Sequence, residues 1–245
     1  MNPILTIAAK ELTDGWRDRR AVASAALYSL MGPGVVGMVS FAIHDAGRVL
    51  IAMMSVFTLV AAFVGGVNVA MDAIAGERER RSLVPLLMHP VTRRDLVLGK
   101  WLAVSAFDSA GLALNLAGFA LLFRRVPSPA FAFLLPPLCF LAAALEIWIS
   151  TLCRGVKEAH TYLSMLVFLP MMAGMFMVFS PVAGQGWWKF VPVAGHQLLI
   201  EAGMRGAPSD WPAIAAIGLA TAIAAAMAII AAARRLEQDD VVYGG

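Results

Sequence analysis

Charge is what this 245-residue chain has least of: Asp, Glu, Lys and Arg make up 14% of it, against about 25% in soluble globular domains. With 60% hydrophobic residues and a mean hydropathy of +0.77, that shortage excludes an ordinary water-soluble fold and leaves a polytopic membrane protein. Cysteine is scarce as well. The two present, Cys139 and Cys153, are too few for a disulfide framework, and they lie in or beside one apolar run without the spacing of a metal site. Catalytic signatures are missing: neither Gly-x-Ser-x-Gly nor His-Glu-x-x-His occurs, so an intramembrane hydrolase or metalloprotease has no visible constellation. Gly99-Lys100 is no phosphate loop, because Arg94 takes the earlier glycine position and Trp101 follows where Ser or Thr would be needed. No cleavable signal peptide, internal repeat, low-complexity tract or soluble domain is evident.

What the chain does have is long apolar runs. Six of them, at about 21–43, 49–71, 96–123, 130–152, 161–180 and 211–233, come near the roughly 20 residues that cross a bilayer as a helix. Ahead of them, Asn2 and Pro3 read as an N-cap and first helical position. Leu5, Ala8, Leu12 and Trp16 then recur opposite Lys10, Asp14, Arg17 and Asp18, the pattern of an amphipathic helix at the membrane surface over residues 1–20. Between the fifth and sixth runs, residues 181–210 hold several Gly and Pro and the Trp187-Trp188 pair. They suit an outer hairpin or a re-entrant segment at an aromatic belt. The expected fold is all-α: one domain, 1–245, of six transmembrane helices, an N-terminal interfacial helix and a short cytoplasmic helix.

Basic residues orient it. Fourteen of the nineteen Lys and Arg fall on the N-terminal side of the membrane if all six runs cross, so both termini should be cytoplasmic. The net charge of +3 follows from this loop bias and calls for no nucleic-acid partner.

The most informative stretch is the loop at 72–95, where charge is concentrated between two apolar runs. Ser82 can cap a short helix with Pro85 in its first turn, and Leu83, Leu86 and Leu87 then share one face. Pro90 stops it. Thr92 and Asp95 form a capping pair that opens the next helix. A leucine face flanked by Glu77, Arg78, Glu79, Arg80 and Arg81 is a docking element for a soluble partner, or else the charges only enforce topology and the leucines touch the bilayer surface.

Inside the runs, a few polar residues stand out. Asp108 and Asn115 lie seven apart on one helical face, with Gly111 and Gly118 nearby for close helix approach, and Glu146 sits in the fourth run. They read as a path attracting a cation or amine, or as interhelical hydrogen bonding around packed carboxyls. His196 could edge an outer gate or be structural. The methionines around Met165–Met177 fit flexible packing better than soft-metal handling.

Residues 73–100 resemble the cytoplasmic loop of type-two ABC exporter permeases, whose pattern runs Gly-Glu-Arg-Glu-Arg-Gly-Thr-Leu-Glu-x-Leu-Leu-x-x-Pro-Val-Ser-Arg-Arg-x-hydrophobic-Leu-Gly-Lys. Here Arg81-Ser82 stands for the Gly-Thr and Val84 for the second Glu. Lys10 to Arg20 is similar to the entry helix of the same group. Phe168 to Phe176 and Val191 to Gly206 resemble its sodium-efflux, NatB-like branch, although residues 44–48 are too short for the large outer domain some of those permeases carry. The resemblance implies an ATP-driven exporter permease in the cell inner membrane, working as a dimer with a separate ABC ATPase subunit. ATP and Mg would then be bound by that partner and no cofactor by this chain. Glu77, Arg78, Glu79, Arg80, Arg81, Leu83, Leu86, Leu87 and Pro90 would form the ATPase-docking segment. Asp108, Asn115, Glu146 and His196 are the candidates for a substrate path, with Na⁺, another cation or an amphiphile as cargo. A membrane anchor that recruits an ATPase without moving a solute is the alternative.

Overall fold

The computed structural model describes residues 2–42, 47–83, 85, 91–124, 128–179 and 186–238. Among them every regular element is helical. In chain order these are α1 Pro3–Arg17, α2 Arg19–Ala42, α3 Gly47–Ala61, α4 Val67–Met71, a π-helical turn Asp72–Gly76, and α5 Glu77–Glu79. They are followed by α6 Arg93–Phe123, α7 Phe131–Leu152, α8 Val156–Phe179, a 3-10 turn Gly186–Phe190, α9 Ala194–Met204 and α10 Trp211–Arg235.

Helix starts follow local chemistry. Asn2 accepts the Ile4 N–H at 3.1 Å, with Pro3 opening α1. Thr92 accepts the Asp95 N–H at 3.1 Å, and its hydroxyl donates to the Asp95 carboxylate at 2.8 Å, the capping pair that the Thr-x-x-Asp spacing predicts. Asp210 accepts the Ala213 N–H at 3.2 Å and caps α10.

Five helices have the length and apolarity to cross a membrane: Arg19–Ala42, Arg93–Phe123, Phe131–Leu152, Val156–Met177 and Trp211–Arg235. The expected continuous span at 49–71 is corrected by the structure. α3 runs for 15 residues and ends at Ala61, about 22 Å at 1.5 Å per residue, short of a hydrocarbon core of about 30 Å. The chain then turns through residues 62–66 before α4 resumes. The break sits at a close approach to α6: a Cβ on Gly65 would lie 2.4 Å from the Phe107 carbonyl oxygen and 2.8 Å from the Asp108 Cα. Only glycine fits there. Uniform hydropathy hid the break, because the turn is itself buried, at Ala62 and Phe63 in particular.

α7 is the centre of the bundle. Leu134, Leu138, Ala142, Ala143 and Ile147 are fully buried, and α10, α6 and α8 pack around it. The small side chains Ala225, Ala228 and Ala232 let α10 lie closely along α7. α2, α8 and α10 turn large apolar side chains outward, among them Phe41, Phe168 and Met227, as helices facing lipid do. The charged end differs. α1 lies beside α6, with Glu11 at Lys100 and Trp16 against Phe107 at a ring-centroid distance of 5.8 Å.

Candidate functional site

Two polar assemblies stand out against the apolar bundle: an ionic knot at one end, and buried carboxyls midway along α6 and α7.

The knot forms where α1, α5 and α6 meet. Lys100 has no exposed side-chain surface, and its Nζ lies 2.8 Å from Glu11 Oε1 and 2.9 Å from Glu77 Oε1. Burial pushes the Glu77 carboxyl above its ordinary range, against the downward pull of Lys100. Arg78 donates to the carbonyls of Cys153 and, at 3.1 Å, Thr151, which end α7. Glu79 accepts the Val156 N–H at 2.7 Å and so caps the start of α8. Ser150 of α7 accepts the Ala75 N–H at 3.1 Å inside the π-helical turn. Arg80 pairs with Asp72 at 3.2 Å. The segment from 72 to 80 is thereby tied to α1, α6, α7 and the α7–α8 connection.

Of the residues assigned to docking, Glu77, Arg78 and Glu79 are therefore engaged within the chain. Arg80 and Arg81 are exposed, and Leu83 is buried to 1% exposure. Arg81 adopts a left-handed backbone with φ 57°, which turns the chain out of α5. Leu86, Leu87 and Pro90 lie outside the described residues.

Asp108 and Glu146 are both fully buried. Asp108 Oδ1 accepts the Gly66 N–H at 2.6 Å, satisfying a donor released where α3 and α4 are interrupted. Its Oδ2 has no hydrogen-bond partner among the described residues, and neither does either oxygen of Glu146. The two carboxyls, on adjacent helices, are close enough to act on each other electrostatically, with Cys139 in the same neighbourhood. In a bundle interior such groups need a proton or a cation to be held. Gly111 and Gly118 let α2 come close, as their spacing implies: a Cβ there would meet Ser29 Oγ at 2.8 Å and Pro33 Cγ at 2.7 Å.

Asn115 is hydrogen-bonded within the bundle. It donates to the Ser29 carbonyl at 3.0 Å and accepts from Thr58 at 3.3 Å, joining α2, α3 and α6. His196 is buried near the backbone of Leu134. Leu134 precedes Glu146 by twelve residues on α7, about 18 Å at 1.5 Å per residue. Thus Asp108 and Glu146 interact electrostatically in the bundle interior, Asn115 lies two turns further along α6, and His196 lies toward the other end of α7. A further polar bridge, Gln197 donating to Ser55 at 2.7 Å, fixes α9 to α3. Among the described residues no group of three or more His, Cys, Asp or Glu could hold a metal ion.

Lys100, Glu11 and Gly66 escaped sequence reasoning. The available signals were a lysine inside an apolar run and a Gly-Gly pair inside another, but partners 89 and 42 residues away are not visible in sequence.

A bundle of apolar helices, polar at one end and carrying buried carboxyls within, defines an integral membrane protein of the α-helical class. The sequence matches the ABC-2 family of transporter proteins over residues 5–241, and the chain belongs to that family. It is 34% identical over 152 residues to the ABC transporter permease protein NatB of Bacillus subtilis, a match covering 56% of this chain and 39% of NatB. It is also 34% identical over 127 residues to the probable ABC transporter permease protein NosY of Pseudomonas aeruginosa, covering 46% of each. With NosY of Stutzerimonas stutzeri the identity is 32% over 122 residues, covering 48% of this chain and 42% of NosY. The chain thus spans less than half the length of each of these curated relatives.

Proposed function

We propose that this chain is the permease subunit of an ATP-driven exporter in the cell inner membrane, with both termini cytoplasmic. It acts as a dimer together with a separate ABC ATPase. The observation that carries this reading is the anchoring of residues 72–80. A segment held by Lys100, by the carbonyls ending α7 and by the first turn of α8 is a lever: force applied to it is transmitted to three helices at once. The permease names of NatB and NosY and the family match support the same reading. The docking contact itself is assigned to the adjoining leucine face, Leu86 and Leu87, and to the exposed Arg80 and Arg81. In this reading α3 and α4 form a broken sixth crossing.

Cargo is a cation or an amine-bearing amphiphile. Asp108 and Glu146 supply buried carboxyls, available to a cation in place of a proton, beside an interrupted helix, the kind of place where transporters hold ions. The test is ATP hydrolysis by the permease–ATPase complex in vesicles across a panel of cations and cationic amphiphiles. A cargo that raises the rate in wild type, and fails to do so in Asp108→Asn/Glu146→Gln with ATPase binding intact, is the expected result. Equal stimulation in both would overturn the cation path, and a rate indifferent to every solute would favour an anchoring role.

A further inference from the structure

At the end of the bundle away from Lys100, a cavity of about 380 Å³ opens between α3, α6 and α9. Its described lining side chains are mostly apolar, with backbone polar groups exposed between them. Leu50, Ile51, Leu116, Phe119, Phe131 and Met204 contribute to it, and Ser128 is the only polar side chain among the described lining residues. It lies roughly 35 Å along α6 from the ionic knot, counted at 1.5 Å per residue from Lys100 to Phe123. That volume falls near the lower end of ligand cavities, which run from about 300 to 1,000 Å³. It suits a slender apolar chain better than a bulky ring system.

The residues next in sequence to two lining positions carry the opposite chemistry. Gly47 opens α3 and lines the cavity, and the next residue is Arg48. Phe123 closes α6 and lines it too, and the next residue is Arg124, in a left-handed conformation with φ 51° that ends the helix. Both arginines are exposed and make no ion pair or hydrogen bond with any described residue. An apolar slot flanked in sequence by two exposed arginines, neither paired with a described residue, matches a molecule with a hydrocarbon tail and an anionic head, and guanidinium forks favour phosphate. A second copy of the chain fits less well. In a two-fold interface centred on this mouth, the arginines of the two copies would face each other.

We propose that this cavity binds one acyl chain of an anionic membrane phospholipid, with Arg48 and Arg124 holding its phosphate. The inference rests on the bundle lying in a bilayer and is independent of what the protein exports. The detergent-purified chain is titrated with phosphatidylglycerol or with phosphatidylcholine of the same acyl chains, and retained lipid is counted by native mass spectrometry. Wild type should retain phosphatidylglycerol at least tenfold better. Arg48→Ala/Arg124→Ala, a surface change that leaves the bundle intact, should bring phosphatidylglycerol down to the phosphatidylcholine level. Ala120→Trp, which fills the cavity, should reduce retention of both. Equal retention of the two lipids by wild type, or undiminished phosphatidylglycerol on the double arginine variant, would overturn the proposal.

Discussion

The backbone N–H of Gly66 donates to Asp108 Oδ1 at 2.6 Å, so a carboxyl in one membrane helix supplies the hydrogen bond that another helix loses where it is interrupted. The bond does two things. It removes a structural objection to a break inside an apolar run, and it fixes one Asp108 oxygen while leaving the other directed elsewhere in the interior.

Asp108→Asn and Asp108→Leu should therefore separate. The amide keeps an acceptor for Gly66 and should alter stability little. The leucine leaves a buried N–H unpaired, which costs about 1–3 kcal/mol. Thermal unfolding of the detergent-solubilised variants reads the difference, and equal midpoints would mean that the bond does not hold the break.

Gly65→Ala tests the close approach directly. Its Cβ would meet backbone at 2.4 Å, and backbone cannot rotate away, so a loss of about 1–3 kcal/mol or failure to fold is expected. Gly34→Ala is the control. Nothing lies within 4 Å of its Cβ position inside α2, and helix propensity there favours alanine by up to about 1 kcal/mol. If the two substitutions behaved alike, steric contact with α6 would not explain the interruption.

Lys100→Met removes the buried cation between Glu11 and Glu77 and leaves Glu77 without its ion pair in a largely buried site, while Glu11 keeps Lys10 at 3.4 Å. Breaking a buried ion pair from one side costs about 3–5 kcal/mol. Glu77→Gln should be much milder, because the amide still accepts from Lys100, Glu11 still neutralises it, and burial already disfavours the Glu77 charge. Chemical denaturation in mild detergent ranks the two, and a Lys100→Met protein as stable as Glu77→Gln would contradict the shared-cation geometry.

How much of this was legible in the sequence depends on distance along the chain. Caps were readable at Asn2 and at Thr92 with Asp95 because the partners lie within three residues. Asp108 and Glu146 attracted notice as ionisable groups in apolar runs, but their juxtaposition across α6 and α7 was not written in either run. The break at Gly65 was masked because the turn is as apolar as the helices it separates. The charges of 77–79 read as orienting a docking contact; their partners within the chain, Lys100, Thr151 and Val156, are 23 to 77 residues away and come near only when the bundle closes.

Acid should weaken the α10 cap. A hydrogen bond from Lys189, at 3.0 Å, and the Ala213 N–H hold the Asp210 carboxyl below its ordinary range. A depressed folded value means that its stabilisation is fully present above the unfolded value of about 3.9 and is lost as pH falls through the folded one. The gap in melting midpoint between wild type and Asp210→Ala should hold steady above about pH 5 and close in stronger acid. A gap unchanged down to pH 3 or so would show that the Asp210 charge contributes nothing.

Recruitment of a separate ATPase is the property on which the permease role stands. Membranes containing the chain and a co-expressed ABC ATPase are solubilised, and the ATPase retained on the tagged permease is measured for wild type, Leu86→Asp and Leu87→Asp. A carboxylate forced into an apolar docking groove costs several kcal/mol, enough to dissolve most of a micromolar complex. Wild type should hold the ATPase in stoichiometric amount, and both variants should insert normally and lose it. ATPase retained equally by all three would contradict docking through the leucine face, and no retention by wild type would contradict the permease assignment itself.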